Sequence, residues 1–251
     1  MKNKKTAMID ITALDIKQNN HAKSLITNLS LSMNRGEVLA IIGTSGSGKS
    51  ALINAIMNGL SSDFTVMGDI LIHPKTRIAL VPQSINALNP TAKIGSQLVQ
   101  FGPKKKWYQR RNKTAVHHAL ALAQLPISVA NLYPYQLSGG MAKRVLSALA
   151  FIQDPDIVIA DEPSCGVNDE YAEVLFQHYK QLAHKEKKAV IIVSHDIKYV
   201  LDIADHILVL QGIDNQKSLS SIEYTTPKKI KQGNSGPYSQ ALWQALPKNW
   251  N

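Results

Sequence analysis

The sequence has few of the features that define several protein classes. Its 251 residues contain one cysteine, Cys165, which excludes an internal disulfide framework and a cysteine cluster for zinc or iron–sulfur. Its longest unbroken apolar runs span about five residues, whereas a membrane-spanning helix needs roughly 20. No apolar segment of the kind found in secretory signals follows the basic N-terminus. We therefore expect a chain that does not cross a membrane and that works in a reducing, cytoplasmic setting.

Negative charge is scarce as well. The chain has 28 Lys and Arg residues against 18 Asp and Glu residues, for a net charge of +10. The densest basic cluster is residues 104–113, where a Trp-Tyr pair interrupts the lysines and arginines. Such a segment fits a solvated helix face, and it also fits contact with phosphate or lipid head groups. Charge alone does not decide between these interpretations.

Apolar residues make up 44% of the chain, which is enough for a full core. Buried strands are predicted at residues 38–42, 156–160, 189–193 and 207–210, with helices at 49–58, 141–151 and 171–185. Two further strands are predicted near the start, at 8–14 and 24–33. Strands that alternate with helices favour an α/β fold with a mostly parallel sheet covered on both faces.

We predict one domain over residues 1–251, with two parts that differ from the strand–helix pattern. Residues 85–150 are mainly helical in pattern, most clearly at 114–123, and form an inserted subdomain. The tail, about 212–251, is polar. Within it, residues 226–237 are predicted to be a surface linker and residues 238–246 a short amphipathic segment.

A phosphate-binding loop is predicted between the strand at 38–42 and the helix that follows. The segment fits G-x-x-x-x-G-K-[ST], with glycines that let backbone N–H groups turn toward phosphate oxygens. The helix start adds its positive dipole end. Lys49 can reach the β- and γ-phosphates, and the Ser50 hydroxyl can ligate Mg²⁺. We assign nucleotide binding to the motif and the residue after it: Gly43, Thr44, Ser45, Gly46, Ser47, Gly48, Lys49, Ser50 and Ala51.

Two adjacent acids follow the strand predicted at 156–160. Asp161 and Glu162 are expected at the carboxyl edge of the sheet, where open α/β sheets bind ligands. One acid can hold the Mg²⁺ shell, and the other can orient and deprotonate an attacking water. With the phosphate loop upstream in the same sheet, these acids indicate nucleotide hydrolysis.

Three further motifs bring the sequence close to a known family. Ser138, Gly139 and Gly140 precede a helix, a position that by itself fits either an anion site or a simple helix cap. With the motifs above, they resemble the signature loop of ABC-type ATPases. Gln83 stands where that family has its Q-loop glutamine, and His195 stands where it has its switch histidine. The resemblance covers about residues 8–210.

The resemblance implies a P-loop NTPase core with a mostly parallel sheet, an antiparallel β subdomain and an inserted helical subdomain. It also implies a head-to-tail dimer with two ATP molecules at its interface. Ser138, Gly139 and Gly140 would then contact the partner's ATP. This chain's own ATP would be served by Lys49, Ser50, Gln83, Asp161, Glu162 and His195. Within that set, Glu162, His195 and Gln83 are the catalytic residues, and Ser50, Gln83 and Asp161 hold Mg²⁺.

The subfamily can be narrowed by resemblance. Residues 86–90, residues 133–136, Met141 and the segment 237–247 look like those of peptide and nickel importer ATPases. Peptide importer ATPases usually run longer and carry a cysteine cluster, which this sequence lacks up to Asn251, so the nickel or metallophore branch is favoured. The implied role is a peripheral ATPase on the cytoplasmic face of the membrane. Its implied partners are two membrane-spanning permease subunits, a second ABC ATPase in a heterodimer, and an extracytoplasmic substrate-binding protein, with no nucleic acid expected.

Four departures from the family pattern keep alternatives open. Asn168 replaces an aspartate, and the only ring near residues 17–23 that could stack on adenine is His21. The segment 68–83 is shorter than its counterpart in the family. The segment after Leu210 differs from the tight hairpin that is usual in the family. One alternative is a catalytically weak partner that completes its neighbour's site. The other is a soluble ABC ATPase acting on nucleic acid, which the charge of +10 motivates and the absence of a coiled-coil or zinc insertion opposes.

Overall fold

The computed structural model describes residues 7–19, 24–102, 109–212 and 221–247. The strands are β1 (Ala7–Gln18), β2 (Ser24–Asn34), β3 (Val38–Gly43), β4 (Phe64–Ile72), β5 (Ile78–Val81), β6 (Ile157–Asp161), β7 (Ala189–Val193), β8 (His206–Gln211) and β9 (Ser221–Thr225). The helices are α1 (Lys49–Ile56), α2 (Ile94–Phe101), α3 (Gln109–Leu122), α4 (Gly139–Phe151), α5 (Asp169–His184), α6 (Ile197–Ile203), α7 (Pro227–Lys231) and α8 (Pro237–Gln244).

The larger sheet has the order β5-β6-β7-β3-β8-β9. Neighbours from β5 to β8 pair in parallel, and β9 pairs antiparallel with β8. The strands predicted from apolar runs are confirmed. They are apolar throughout because both faces are covered: Val38 and Ala40 belong to one core cluster, and Leu39 and Ile41 belong to the other.

A smaller antiparallel sheet, β2-β1-β4, lies against the second of these clusters together with α1. The two early strands are confirmed and are longer than predicted. The strand β4 was not predicted, because its apolar residues do not alternate regularly with polar ones and Gly68 and Asp69 interrupt them. Ala13 in β1 has a positive φ and faces Gly68 of β4, where an added Cβ would lie 2.3 Å from the Ala13 carbonyl oxygen.

The middle of the chain is helical, as predicted. It contains α2, α3 and α4, with short 3₁₀ turns at Ile85–Ala87, Ile127–Asn131 and Pro134–Gln136. Of the basic cluster 104–113, residues 104–108 lie outside the described residues. The helix α4 is packed into the core, because nine of its side chains are buried.

The tail corrects one prediction. The predicted linker 226–237 contains α7, whose Ile230 is 0% exposed and belongs to the main core. The Thr226 hydroxyl caps this helix by accepting a hydrogen bond from the Lys229 N–H, and Pro227 fits its first turn. Glu223 of β9 accepts hydrogen bonds from the Gly236 N–H and the Ser239 hydroxyl, which holds the start of α8. Residues 213–220, which join β8 to β9, lie outside the described residues.

Among the helices in the described part of the chain, none is both long enough and apolar enough to cross a bilayer.

Candidate active site

The phosphate loop joins β3 to α1, as the sequence predicts. Gly43 ends β3 against β8, and a Cβ at this position would lie 2.0 Å from the Leu210 carbonyl oxygen. Gly48 caps α1 with φ 95°, a left-handed conformation that favours glycine. Both glycines are therefore required by backbone geometry, independently of any ligand.

The loop presents donors that fit a polyphosphate. The first N–H groups of α1 have no partner within the helix, and Gly48 has no side chain to cap them. Ser47 is 1% exposed, and its hydroxyl makes no hydrogen bond with any described residue. The Lys49 ammonium donates to the carbonyl oxygens of Gly43 and Thr44, each at 2.8 Å. Burial lowers the pKa of Lys49, and the charges of Glu162 and Asp161 oppose that shift.

The predicted motifs other than the signature turn meet in one cleft of about 670 Å³ above the phosphate loop. The predicted residues in it come from four parts of the chain: the phosphate loop with the start of α1, the segment after β5, the end of β6 with Glu162, and the loop after β7. The predicted residues that line the cleft are Gly43, Ser45, Gly46, Ser47, Gly48, Lys49, Ser50, Ala51, Gln83, Asp161, Glu162 and His195. Thr44 is the exception in the loop, because its hydroxyl accepts a hydrogen bond from the Gly212 N–H at 3.2 Å and does not line the cleft.

The two acids differ in their surroundings. The pKa of Asp161 is raised by burial and by the charge of Glu162, while Lys49 and Lys143 oppose the rise. The Glu162 side chain is 13% exposed, and its Oε2 lies 2.7 Å from Nδ1 of His195. The backbone N–H of Glu162 donates to the carbonyl oxygen of Val193 at 2.9 Å, which holds the ends of β6 and β7 together. Glu162 and His195 thus form a contact that could orient a catalytic base.

The cleft also contains side-chain oxygen atoms that could ligate a hard cation. The Ser50 hydroxyl, the Gln83 side chain and the Asp161 carboxylate supply the oxygen atoms that Mg²⁺ prefers, and all three residues line the cleft. Within the described ranges, no group of three or more His, Cys, Asp or Glu residues could hold a metal by itself. A cation here would need phosphate oxygens or water to complete its coordination.

The signature residues lie apart from the cleft. Ser138 caps α4 by accepting a hydrogen bond from the Met141 N–H at 3.3 Å, and Gly139 and Gly140 form the first turn. None of the three lines the cleft of the same chain. Asn168 has a local role as the cap of α5, since its Oδ1 accepts a hydrogen bond from the Tyr171 N–H at 3.1 Å.

Three cleft residues were missed by the sequence analysis: Gln18, Leu25 and Phe64. Phe64 begins β4 and pairs in register with Gln18 of β1, so an aromatic ring reaches the cleft from a strand after the phosphate loop. The sequence suggested an adenine-stacking ring only near residues 17–23, which precede the phosphate loop. His21 of that segment lies outside the described residues. Only the β1–β4 pairing, which the sequence analysis did not assign, places Phe64 there.

Comparison with known proteins identifies the family. The sequence profile described as "ABC transporter" matches residues 26–165. The chain belongs to the ABC transporter family. It is 30% identical to the oligopeptide transport ATP-binding protein OppD of Lactococcus lactis subsp. cremoris, over 88% of this chain and 70% of that protein. It is 31% identical to the probable D,D-dipeptide transport ATP-binding protein DdpD of Escherichia coli, over 89% of this chain and 73% of that protein.

Other ABC proteins agree with this assignment. The glutathione import ATP-binding protein GsiA of Escherichia coli O1:K1 is 31% identical, over 92% of this chain and 40% of that protein. A dimeric ATP-binding cassette bound to ADP and Pi superimposes with a TM-score of 0.68 at 25% identity, over 82% of this chain and 97% of the other. The cbiO1 chain of Clostridium perfringens has the same fold, with a TM-score of 0.77 at 21% identity and 98% of both chains covered. This chain is therefore an ATP hydrolase of the ABC type.

Proposed function

We propose that this ABC ATPase is the energy-coupling subunit of a membrane importer and acts as a peripheral subunit on the cytoplasmic face of the membrane. The meeting of Lys49, Glu162 and His195 in one cleft is the observation that carries the hydrolysis part of this proposal. The names of the relatives support it, since they are ATP-binding proteins for the transport of oligopeptides and D,D-dipeptides and for the import of glutathione.

The residues of the cleft divide the work of hydrolysis. The backbone N–H groups of the phosphate loop and the Lys49 ammonium bind the β- and γ-phosphates. Ser50, Gln83 and Asp161 would hold Mg²⁺, which when bound neutralises charge on the phosphates. Glu162 accepts the proton of the attacking water, and the 2.7 Å contact with Nδ1 of His195 fixes the direction of that carboxylate.

The signature residues would act on a second site. Because Ser138, Gly139 and Gly140 do not line the cleft of their own chain, a second ATPase subunit is needed for them to reach a nucleotide. We propose a dimer, by the sequence resemblance a heterodimer, joined to two permease subunits and served by an extracytoplasmic substrate-binding protein. The relatives favour short peptides as cargo. Nickel or a metallophore remains the prediction from Met141 and the C-terminal segment.

Co-purification tests this assembly. The chain is extracted with mild detergent from the membranes of its native cell, and its partners are identified by mass spectrometry. Two membrane-spanning proteins and a second ATPase are expected. Any binding protein recovered can be titrated with peptides, nickel and metallophores to identify the cargo. Recovery only in the soluble fraction, with nucleic acid or with no permease, would contradict the transport function.

Turnover of a Glu162→Gln variant tests the role of the base. The amide cannot accept the proton, so we expect the kcat of the purified assembly to fall by about 10²–10⁴-fold. ATP affinity should stay within about threefold, because a general base acts mainly on the chemical step. Glu173→Gln, at an exposed carboxylate on α5, is the matched control. A kcat near wild type would show that Glu162 is not the catalytic base.

The same variant separates a fully active subunit from a catalytically weak partner. In a heterodimer, turnover can be compared after mutation of Glu162 or of the equivalent acid in the second ATPase. If only the second mutation lowers turnover, this chain completes its neighbour's site and contributes little hydrolysis itself.

A further inference from the structure

Lys143 is a buried cation that has no assigned role in binding ATP or Mg²⁺ or in hydrolysis. It lies in the second turn of α4, and only 9% of its surface is exposed. Its ammonium donates a hydrogen bond to the backbone carbonyl oxygen of Gln83. Burying an ammonium is costly unless it is hydrogen-bonded. This contact joins two segments that are 60 residues apart in the sequence.

The two residues of this contact belong to segments that also carry predicted site residues. Lys143 is five residues after Ser138, about 7.5 Å along the axis of the helix that begins with the signature residues. Gln83 follows β5 and Pro82, and its side chain lines the phosphate-loop cleft. The charge of Lys143 also acts on Asp161 in the same cleft. Lys143 therefore bridges the signature helix and the part of the cleft that Gln83 lines.

We propose that Lys143 is a positioning residue that ties the signature helix to the Gln83 backbone, so that movement of α4 moves the Gln83 side chain in the cleft. The inference rests on the proposed function, because Gln83 matters only if the cleft holds ATP and Mg²⁺. A consequence concerns the dimer. In the proposed dimer the signature of this chain faces the partner's ATP, so this contact would connect that site to this chain's own site.

The physical alternative is that Lys143 only packs. The two roles predict different effects on stability. Methionine keeps much of the volume of the lysine side chain and removes an ammonium whose burial is itself costly. Lys143→Met should therefore keep the melting temperature within a few degrees of wild type while it frees the Gln83 segment. A packing role predicts loss of stability and loss of activity together.

Two measurements test the proposal. The first is hydrogen–deuterium exchange of the nucleotide-free chain over residues 81–88. We expect faster exchange in Lys143→Met, recovery in Lys143→Arg, which keeps both donor and charge, and no change in Lys180→Met. Lys180 of α5 is the matched control, since its ammonium also donates to a backbone carbonyl oxygen, that of Asp202 in α6.

The second measurement is steady-state turnover of the assembled complex. We expect kcat to fall about ten- to a hundredfold in Lys143→Met, since small misplacement of a site residue can cost about 10² in rate, with the KM for ATP within twofold. Lys143→Arg should recover most of the loss. If Lys143→Met gives little folded protein, Lys143→Leu, which also lacks a hydrogen-bond donor, should show the same changes.

Two results would overturn the proposal. One is unchanged exchange and unchanged kcat in Lys143→Met. The other is a loss that Lys143→Arg does not recover or that accompanies an equal fall in stability, either of which would make Lys143 a packing residue. The exchange experiment needs no hydrolysis. An assembled wild-type complex without ATPase activity would contradict the proposed function, and exchange over residues 81–88 would still decide the role of Lys143.

Discussion

Phe64 shows how a single residue acquires a role from its strand partner. Its ring is partly buried against the core beneath the small sheet, and the residue also lines the phosphate-loop cleft. Leu25 lines the same cleft from β2. An aromatic ring in the cleft is a suitable platform for a nucleobase, since stacking on an aromatic is worth about 1–3 kcal/mol per base.

The Phe64→Ala variant is expected to raise the Kd for ATP about tenfold. The affinity for inorganic triphosphate should not change, because the triphosphate has no base to stack. Equilibrium binding of both ligands checks this. Met67→Ala serves as the control, because Met67 is on the same strand, is 63% exposed and does not line the cleft. If both ligands weaken equally, Phe64 supports the loop and does not contact the base.

The chemistry of other residues was predictable because it depends on local sequence. Lys49 and Ser50 are placed by a motif of eight consecutive residues, and Gly43 and Gly48 are fixed by backbone geometry within it. Phe64 gives no such signal. A lone aromatic eight residues after α1 is typical of a core residue, and only the β1–β4 register brings it to the cleft.

At the scale of elements, α7 is the part of the fold that the sequence analysis mistook for a linker. The helix has five residues, several of them basic, and so has no clear amphipathic period. Its one apolar side chain, Ile230, is fully buried and packs with the main core. That contact holds α7 against the core. The helix α8 packs against α7 through Gln240, whose amide donates to the Ile230 carbonyl oxygen at 2.9 Å.

Shortening the Ile230 side chain should destabilise the protein. Ile230→Ala removes a fully buried side chain, and such changes usually cost about 2–5 kcal/mol in the free energy of unfolding. Urea unfolding followed by circular dichroism measures the difference. Lys229→Ala, at the exposed neighbouring position, should change the free energy by less than about 0.5 kcal/mol. A cost below about 1 kcal/mol for Ile230→Ala would mean that α7 is not part of the cooperative core.

At the scale of the whole molecule, His178 links stability to pH. It lies in α5 among the rings of Phe151 and Tyr179, and its Nε2 has no hydrogen-bond partner among the described residues. Burial lowers the pKa of His178 to about 4, from an ordinary value of 6.5. Between these two values the unfolded chain binds a proton that the folded chain does not, so stability falls as pH decreases through this window.

This histidine should remove about 2 kcal/mol of stability between pH 7 and pH 5. His178→Leu abolishes that contribution, so the difference in unfolding free energy between the two pH values should shrink by about that amount. Urea denaturation at both pH values gives the comparison. His118→Gln, at an exposed histidine of α3, is expected to behave like wild type. An unchanged pH dependence in His178→Leu would show that His178 is solvated in solution.

The sequence by itself determined the chemistry that short segments contain: the phosphate loop, the paired acids, the signature turn and the buried strands. Each of these depends on neighbouring residues and on a local period. The tertiary structure alone decided which distant residues meet. Glu162 and His195 are 33 positions apart, and Lys143 and Gln83 are 60 apart. Those contacts follow from the strand order β5-β6-β7-β3-β8-β9 and from the docking of α4, which depend on packing between segments far apart in the chain.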